Sequence, residues 1–574
     1  MAFCLPIALL PLIYPAPPTP KTEFQNLPAE IKLLIVDQLD HDTLALSRVA
    51  ACNRELYDMA MPALYAHVSL GAPPHYRIWP GLAWPADRRS VRCLYSMNYL
   101  QFLMLNMQIE RFLLTVLRKP HLARLVKSLD LTDLYDLCDA HRQISTQPLR
   151  TQLTLAPLSP EDHRIIRIAG MKLPLKSTVR DSMHRALEPN VPRSDALLAV
   201  LLGYLPSLER LEIPMESDDP PRDPATTDWS LIERVLICIA GIRSRHNTGN
   251  ENAATLSKLT YLKAEVDGTF PSADVDWLMV LLRIPTLTHV FGTKWTNQPE
   301  WWRPVHREVP RLVHLELRDC TFDANNLRSL LKLPQKLETF IYERGWTKRK
   351  DWILKSADLS QALQYPSQTL AYLELSFNRS ARKVYADLYL QPLNLTGLRH
   401  LKRLRISAGY LVQTQAKMSD FEGRYWMLFD QHGAYNSAEP LYKLLPQSLE
   451  ELHVFQFNDG LDLILVCKKL CESLHGRAVS TLLEDHQFQH LKDIKLEAPF
   501  EDKGVFLFHT LSEVTNRAGV KLTTIENSAD HVKSWFTGDT IVACADKKID
   551  WGFDGEIQWA HPFTRRGEVN YDLN

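Results

Sequence analysis

Charged and aromatic side chains recur at every second position in several short stretches of the chain: His314, Glu316 and Arg318 in HLELRD, Tyr372 and Glu374 in YLEL, Arg403 and Arg405 in RLRI, and Glu451, His453 and Phe455 in ELHVF. Asp493 and Lys495 repeat the spacing. Alternate residues of a strand share one face, so these side chains should stand in rows pointing away from the leucines between them. Both signs of charge together with aromatic rings suit recognition of a protein segment better than binding of a phosphate polymer. Arg403 and Arg405 can make charge-assisted bonds to acidic or phosphorylated side chains. Trp301 and Trp302, in an insertion before His314, offer indoles that can fill a small desolvated contact.

Covalent chemistry has much weaker signals. Glycine-rich phosphate loops, the H-E-x-x-H zinc pattern and the G-x-S-x-G nucleophile turn are missing from the sequence. Glu484, Asp485 and His486 adjoin, but a triad is a geometric object that adjacency does not make. Cys467 and Cys471 lie four apart in CKKLC, and no second ligand pair follows at zinc-finger spacing. No catalytic residue, metal or cofactor is expected. Nine cysteines in 574 residues, without dense spacing, fit a reducing compartment, cytoplasmic or nuclear. Lys and Arg (66) nearly cancel Asp and Glu (67), so no general field draws in nucleic acid or anionic lipid, and neither is expected as a partner. The opening MAFCLPIALLPLIYP is apolar but shorter than the roughly 20 residues that cross a bilayer.

The elements that must carry the rows announce themselves by a triplet: an apolar residue, two variable ones, a second apolar, one variable, a third apolar. It occurs at Leu208-Leu211-Ile213, Leu312-Leu315-Leu317, Leu337-Phe340-Tyr342, Leu370-Leu373-Leu375, Leu401-Leu404-Ile406, Leu449-Leu452-Val454 and Leu491-Ile494-Leu496. Val126-Leu129-Leu131, Tyr261-Leu262 and Leu287-Val290 are related forms. Short strands separated by helical stretches such as Leu327 to Leu331 would bury a continuous leucine ribbon when stacked. Cys320 and Asn378 fall just past two of these strands, where a turn needs hydrogen bonds to its backbone.

Nearer the N-terminus, EFQNLPAEIKLLIVDQLDHDTLALSRVACNRELYDMAMPALY reads as two or three short helices. Asn26 can cap the first, Pro28 begins it, and Ile31, Leu34, Ile35 and Leu39 give it an apolar stripe. Leu44 to Tyr57 gives a second helical pattern, which Pro62 should end. Such a unit has a marginal core alone and gains by burying surface on a partner.

Leu27, Pro28, Glu30, Ile31, Ile35, Leu39, Leu44, Leu46, Val49 and Pro62-Ala63-Leu64-Tyr65 resemble an F-box of the fungal type, with Leu56 standing where that family usually has an aromatic residue. The triplets resemble irregular leucine-rich repeats, and the combination is similar to F-box/leucine-rich-repeat proteins. The resemblance implies an α/β chain: a flexible segment 1–24, a helical F-box over 25–70, a helical linker over 71–119, a leucine-rich-repeat solenoid over 120–500 with a curved parallel sheet inside and helices outside, and a C-terminal cap and tail over 501–574. It further implies a non-catalytic subunit of a ubiquitin ligase. Leu27, Pro28, Ile31, Ile35, Leu39, Leu44 and Val49 would meet a Skp-type adaptor that brings cullin and RING subunits, and the repeats would hold an unknown protein substrate. The alternative is a repeat scaffold for protein–protein interaction that joins no ligase.

Overall fold

The computed structural model describes residues 27–39, 42–70, 108–131, 159–175, 177–187, 194–215, 256–266, 284–296, 311–345, 354–378, 391–412, 440–457, 460–479, 488–498 and 505–526, with isolated residues between them. These fall into two compact units, the break coming between Thr260 and Tyr261. Trp301 and Trp302, and Asn26, lie outside the described residues.

The first unit opens with three helices, α1 (Ala29–Asp37), α2 (Thr43–Cys52) and α3 (Arg54–Ala66). Pro28 stands at the N-cap of α1 instead of inside it and supplies no side-chain cap. The stretch expected as one helix from Leu44 to Tyr57 is two helices. Asn53 interrupts it by adopting an extended backbone, and its side chain accepts from Leu56 N (2.8 Å) to start α3. Pro62 does not end that helix; it lies within it on the exposed side. The core joins Val36, Leu46, Ala60, Met61, Leu64 and Leu122, with Leu39 and Val49 packed against it. Three parallel strands follow, β1 (His67–Ser69), β2 (Ser128–Asp130) and β3 (Arg210–Met215), with the helices Pro160–Lys172, Ser177–Ala186 and Ser194–Gly203 between the last two.

The second unit carries β4 (Tyr261–Val266), β6 (His289–Thr293), β8 (His314–Cys320), β9 (Thr339–Arg344), β10 (Tyr372–Phe377), β11 (Arg403–Ser407), β12 (Glu451–Phe455), β13 (Asp493–Ala498) and β14 (Lys521–Glu526). β5 (Ala273–Asp274) and β7 (Trp295–Thr296) form a small separate pair. The nine main strands lie side by side in chain order, all parallel, and the sheet does not close into a barrel. Each triplet in this unit falls on its expected strand, and β14 extends the sheet one strand past the last of them.

Register explains the triplets. Leu262, Val290, Leu315, Phe340, Leu373, Leu404, Leu452 and Ile494 stand opposite one another across eight strands, and all are buried. The next inward row holds Gly292, Leu317, Tyr342, Leu375, Ile406, Val454 and Leu496. Glycine is required at 292, because a Cβ there would fall 2.6 Å from Nε1 of the buried Trp295. Between β8 and β9 the helix Ala324–Leu331, capped by Asp323 onto Asn326 N (2.8 Å), buries Leu327, Leu330 and Leu331; Ser356–Leu363 does the same with Leu359, Ala362 and Leu363. Parallel neighbours need such crossovers, since a two-residue turn cannot join them.

Candidate functional site

The outward positions of β8 to β13 form a connected ionic ladder. Arg318 donates to Glu316 (2.7 Å) and to Glu374 (3.0 Å) and lies 3.8 Å from Glu343. Glu374 also accepts from Arg405 (3.3 Å) and from the Tyr372 hydroxyl (3.0 Å). Arg405 reaches on to Glu497 (3.6 Å), which lies 3.2 Å from His453. His314 closes the other end, 3.5 Å from Glu316, within ion-pair reach but outside hydrogen-bonding geometry. The Arg405 guanidinium also covers the Phe455 ring at 4.3 Å, and that of Arg403 lies over Tyr372 at 5.4 Å.

These side chains point away from the leucine ribbon as expected, yet several are not solvated. Glu374 is 2% exposed, and His314 and Glu316 are likewise buried. The reason is breadth: in a sheet of nine parallel strands, long side chains on neighbouring rows cover one another about 4.8 Å apart. Arg405 is therefore not a free donor for a phosphate, because Glu374 and Glu497 already engage it. Arg403 and Lys521 stay exposed at the strand starts, with Glu451 and Asp493 half-buried between them.

Burial raises the acids, and the arginines decide which of them stay charged. Burial pushes Glu374 up, but Arg405, Arg318 and the Tyr372 hydroxyl outweigh it and hold the carboxyl below its ordinary value. Glu316 and Glu497 are lowered in the same way, against burial, by His314 with Arg318 and by His453 with Arg405. Glu343 goes the other way, up to about 7, because burial and the like charges of Asp319, Glu374 and Glu316 exceed the help of Arg318. Burial also pushes Asp319 up to about 6, opposed by Lys294 and by a hydrogen bond from Asn378. His453 is held below its usual value, first by burial.

Sequence reasoning did not single out Glu343, Glu497 or Asp319, which each stand one or two residues past the last apolar residue of a triplet. The cue was present: opposite charges at i and i+2 recur on the strands, as in Arg210 with Glu212 (2.7 Å) and Glu316 with Arg318, and such pairs share one face. Cys320 has the structural place expected of it. It is buried, accepts from Trp295 N (3.4 Å) and donates to the Arg318 carbonyl (3.1 Å), and burial pushes its thiol well up. Burial likewise raises Cys467 to about 12 and Cys471 to about 11. Among the described residues no group of three His, Cys, Asp or Glu is placed to hold a metal ion, and no helix is long and apolar enough to cross a membrane.

The helical unit presents the opposite surface, an apolar one. On α1 the buried side chains are Val36 and Lys32, whose ammonium donates to Glu55 on α3 (2.9 Å). Leu34 is 59% exposed and Ile31 41%, with Leu33 and Ile35 beside them, and Leu44 at the start of α2 is 48% exposed. Pro28 is exposed and Leu27 half-buried. Leu39, just past the end of α1, and Val49 on α2 differ from the rest of the expected adaptor set: both pack on the core that holds Val36 and Leu46. Leu56 is buried. No family model matches the chain, and no curated protein matches it.

Proposed function

We propose that the chain is the substrate-recognition subunit of a Skp/cullin/F-box type ubiquitin ligase, with α1 to α3 docking on the adaptor and the parallel-strand unit holding a protein substrate. The carrying observation is the inversion on α1, where a lysine is buried and Ile31, Leu34 and Ile35 face outward. At 39 to 59% exposed, those side chains forfeit about half of the roughly 1.5 to 3 kcal/mol that full burial of each would contribute. A contiguous apolar face of this kind on a small helical unit marks a contact with another protein. Leu44, at the start of α2, is a further exposed leucine. The outward surface of the strand unit, polar and of mixed charge, supports the second half of the reading. Joining the two surfaces in one chain would raise the concentration of substrate near the ligase without any chemistry in the chain itself.

Co-expression with a Skp-type adaptor and cullin tests the reading. The wild-type chain should capture both, and the Ile31→Asp, Leu34→Asp double variant should capture neither while its circular dichroism stays that of the wild type. A wild-type chain that ignores the adaptor, or a well-folded double variant that still binds it, would defeat the ligase reading and leave a repeat scaffold.

A further inference from the structure

The β8–β9 ladder keeps step from His314 opposite Thr339 to Leu317 opposite Tyr342, and then slips, so that Cys320 comes opposite Arg344. β8 therefore holds one residue too many, and Arg318 and Asp319 both stand against Glu343. The bulge is fixed rather than loose. Asp319 takes a left-handed backbone (φ 52°), and Gly345 lies so close that a Cβ would fall 2.5 Å from the Asp319 carbonyl oxygen. The bulge thereby gathers carboxylates on one guanidinium: Glu316, Glu374 and Glu343 lie 2.7, 3.0 and 3.8 Å from Arg318, and Asp319 adjoins. Over the whole ladder two arginines, Arg318 and Arg405, meet four glutamates, Glu316, Glu343, Glu374 and Glu497.

We propose that this bulge is a pH-sensitive switch in which loss of a proton from Glu343 loosens the ends of β8 and β9 and leaves the outward face more negative. The groups facing Glu343 are Glu316, Arg318, Asp319 and Cys320 from β8 and Glu374 from β10, with Arg344 next to it on β9 and Arg405 acting through Glu374. Lys294 and Asn378 act on Asp319. Arg318 lies 3.8 Å from Glu343, and two other carboxylates already share it. The carboxyl that titrates up to about 7 in this setting binds its proton more tightly folded than unfolded. Its contribution to stability is therefore full below the ordinary carboxyl value of about 4.5 and is lost as pH rises through about 7. His289 and His453, both held low, have the opposite sign, losing stability as pH falls through the ordinary histidine value. Whole-chain melting would mix the two trends, so the readout must be local.

Amide hydrogen exchange of the full chain, followed by mass spectrometry at about pH 5.5 and about pH 8 and corrected for intrinsic exchange, provides it. Peptides spanning Arg318 to Thr321 and Glu343 to Gly345 should be roughly tenfold less protected at the higher pH. Glu343→Gln should cut that difference to the smaller share that Asp319, itself pushed up to about 6, contributes, while peptides of β11 to β13 keep theirs. Equal wild-type protection at the two pH values overturns the proposal, as does a Glu343→Gln protein that retains the whole drop. Asp319→Asn, which suits a left-handed backbone, serves should the first variant fail to fold. It removes a like charge and should shift the midpoint of the drop to lower pH, and an unmoved midpoint would refute the switch.

Discussion

Replacing Glu374 with alanine removes the hub of the ladder. The carboxylate is nearly inaccessible and accepts from Arg318 (3.0 Å), the Tyr372 hydroxyl (3.0 Å) and Arg405 (3.3 Å). Its loss leaves two largely buried guanidiniums facing each other through a cavity. Removing one partner from a buried ionic set costs about 3 to 5 kcal/mol, chiefly through the charge left uncompensated. Part of that is offset here, because Arg318 retains Glu316 and Arg405 retains Glu497. About 3 kcal/mol is therefore the expectation. With two units the chain need not unfold in one step, so native-state hydrogen exchange of peptides in β8 to β11 under increasing urea is the suitable assay. Glu374→Ala with Arg405→Ala should cost clearly less than the sum of the single changes, since the second removes a charge that the first had stranded. The wild-type advantage should fade in acid, because a carboxyl held below its ordinary value stabilises above that value and stops doing so as pH falls through the folded one. A single-variant loss under about 1 kcal/mol, or strict additivity, would refute the view that the ladder is a desolvated network.

Leu373→Ala should cost about 2 to 5 kcal/mol by the same exchange assay, since the side chain is fully buried between Phe340 and Leu404 in the ribbon. Gln456→Ala should cost about 1 to 3 kcal/mol, because the Gln456 amide accepts from Phe377 N (3.0 Å) and donates to Phe377 O (2.9 Å), tying the end of β10 past β11 to the turn after β12. Among the described cysteines, native-state alkylation near pH 8 should label exposed Cys52 and spare Cys320 and Cys467, whose thiols are buried and pushed up; labelling of Cys320 at the rate of Cys52 would contradict its placement.

The ribbon was legible because its cause is local. A triplet such as Leu370-Leu373-Leu375 needs only the period of a strand to predict burial, and the register bears it out. β1 and β14 escaped because HVS is three residues long and KLTTIE puts Thr524 where β13 puts Leu496. The break at Asn53 was readable in principle, as a capping residue inside an apparent helix, but the apolar period of ACNRELY runs on through it. Pairing along one strand, as of Glu316 with Arg318, had its cue in the i, i+2 spacing, but pairing between strands had none. Alternation assigns Arg318 and Glu374 to the outward side, but their contact spans β9, and its existence depends on how far two long side chains reach. The bulge that brings Asp319 to Glu343 rests on the left-handed Asp319 and the close approach of Gly345, and a lone glycine in a sequence does not announce that.

The ladder also narrows where a partner can be read. Arg405, Arg318 and Glu374 would have to surrender existing partners to meet a new one, and a desolvated pair once separated must find equal compensation in the complex. The strand starts carry no such penalty. There Tyr372, Arg403, Glu451, Asp493 and Lys521 stand in register across five strands, with Arg403 and Lys521 exposed and the Arg403 guanidinium braced on the Tyr372 ring. Cations at 403 and 521 flank acids at 451 and 493, a pattern of potential that can fix the register of a bound segment. Reversing the charge of Arg403 alone therefore probes the proposed recognition with little effect on folding, whereas reversing Arg405 sets a carboxylate beside Glu374 and Glu497 and probes the stability of the sheet.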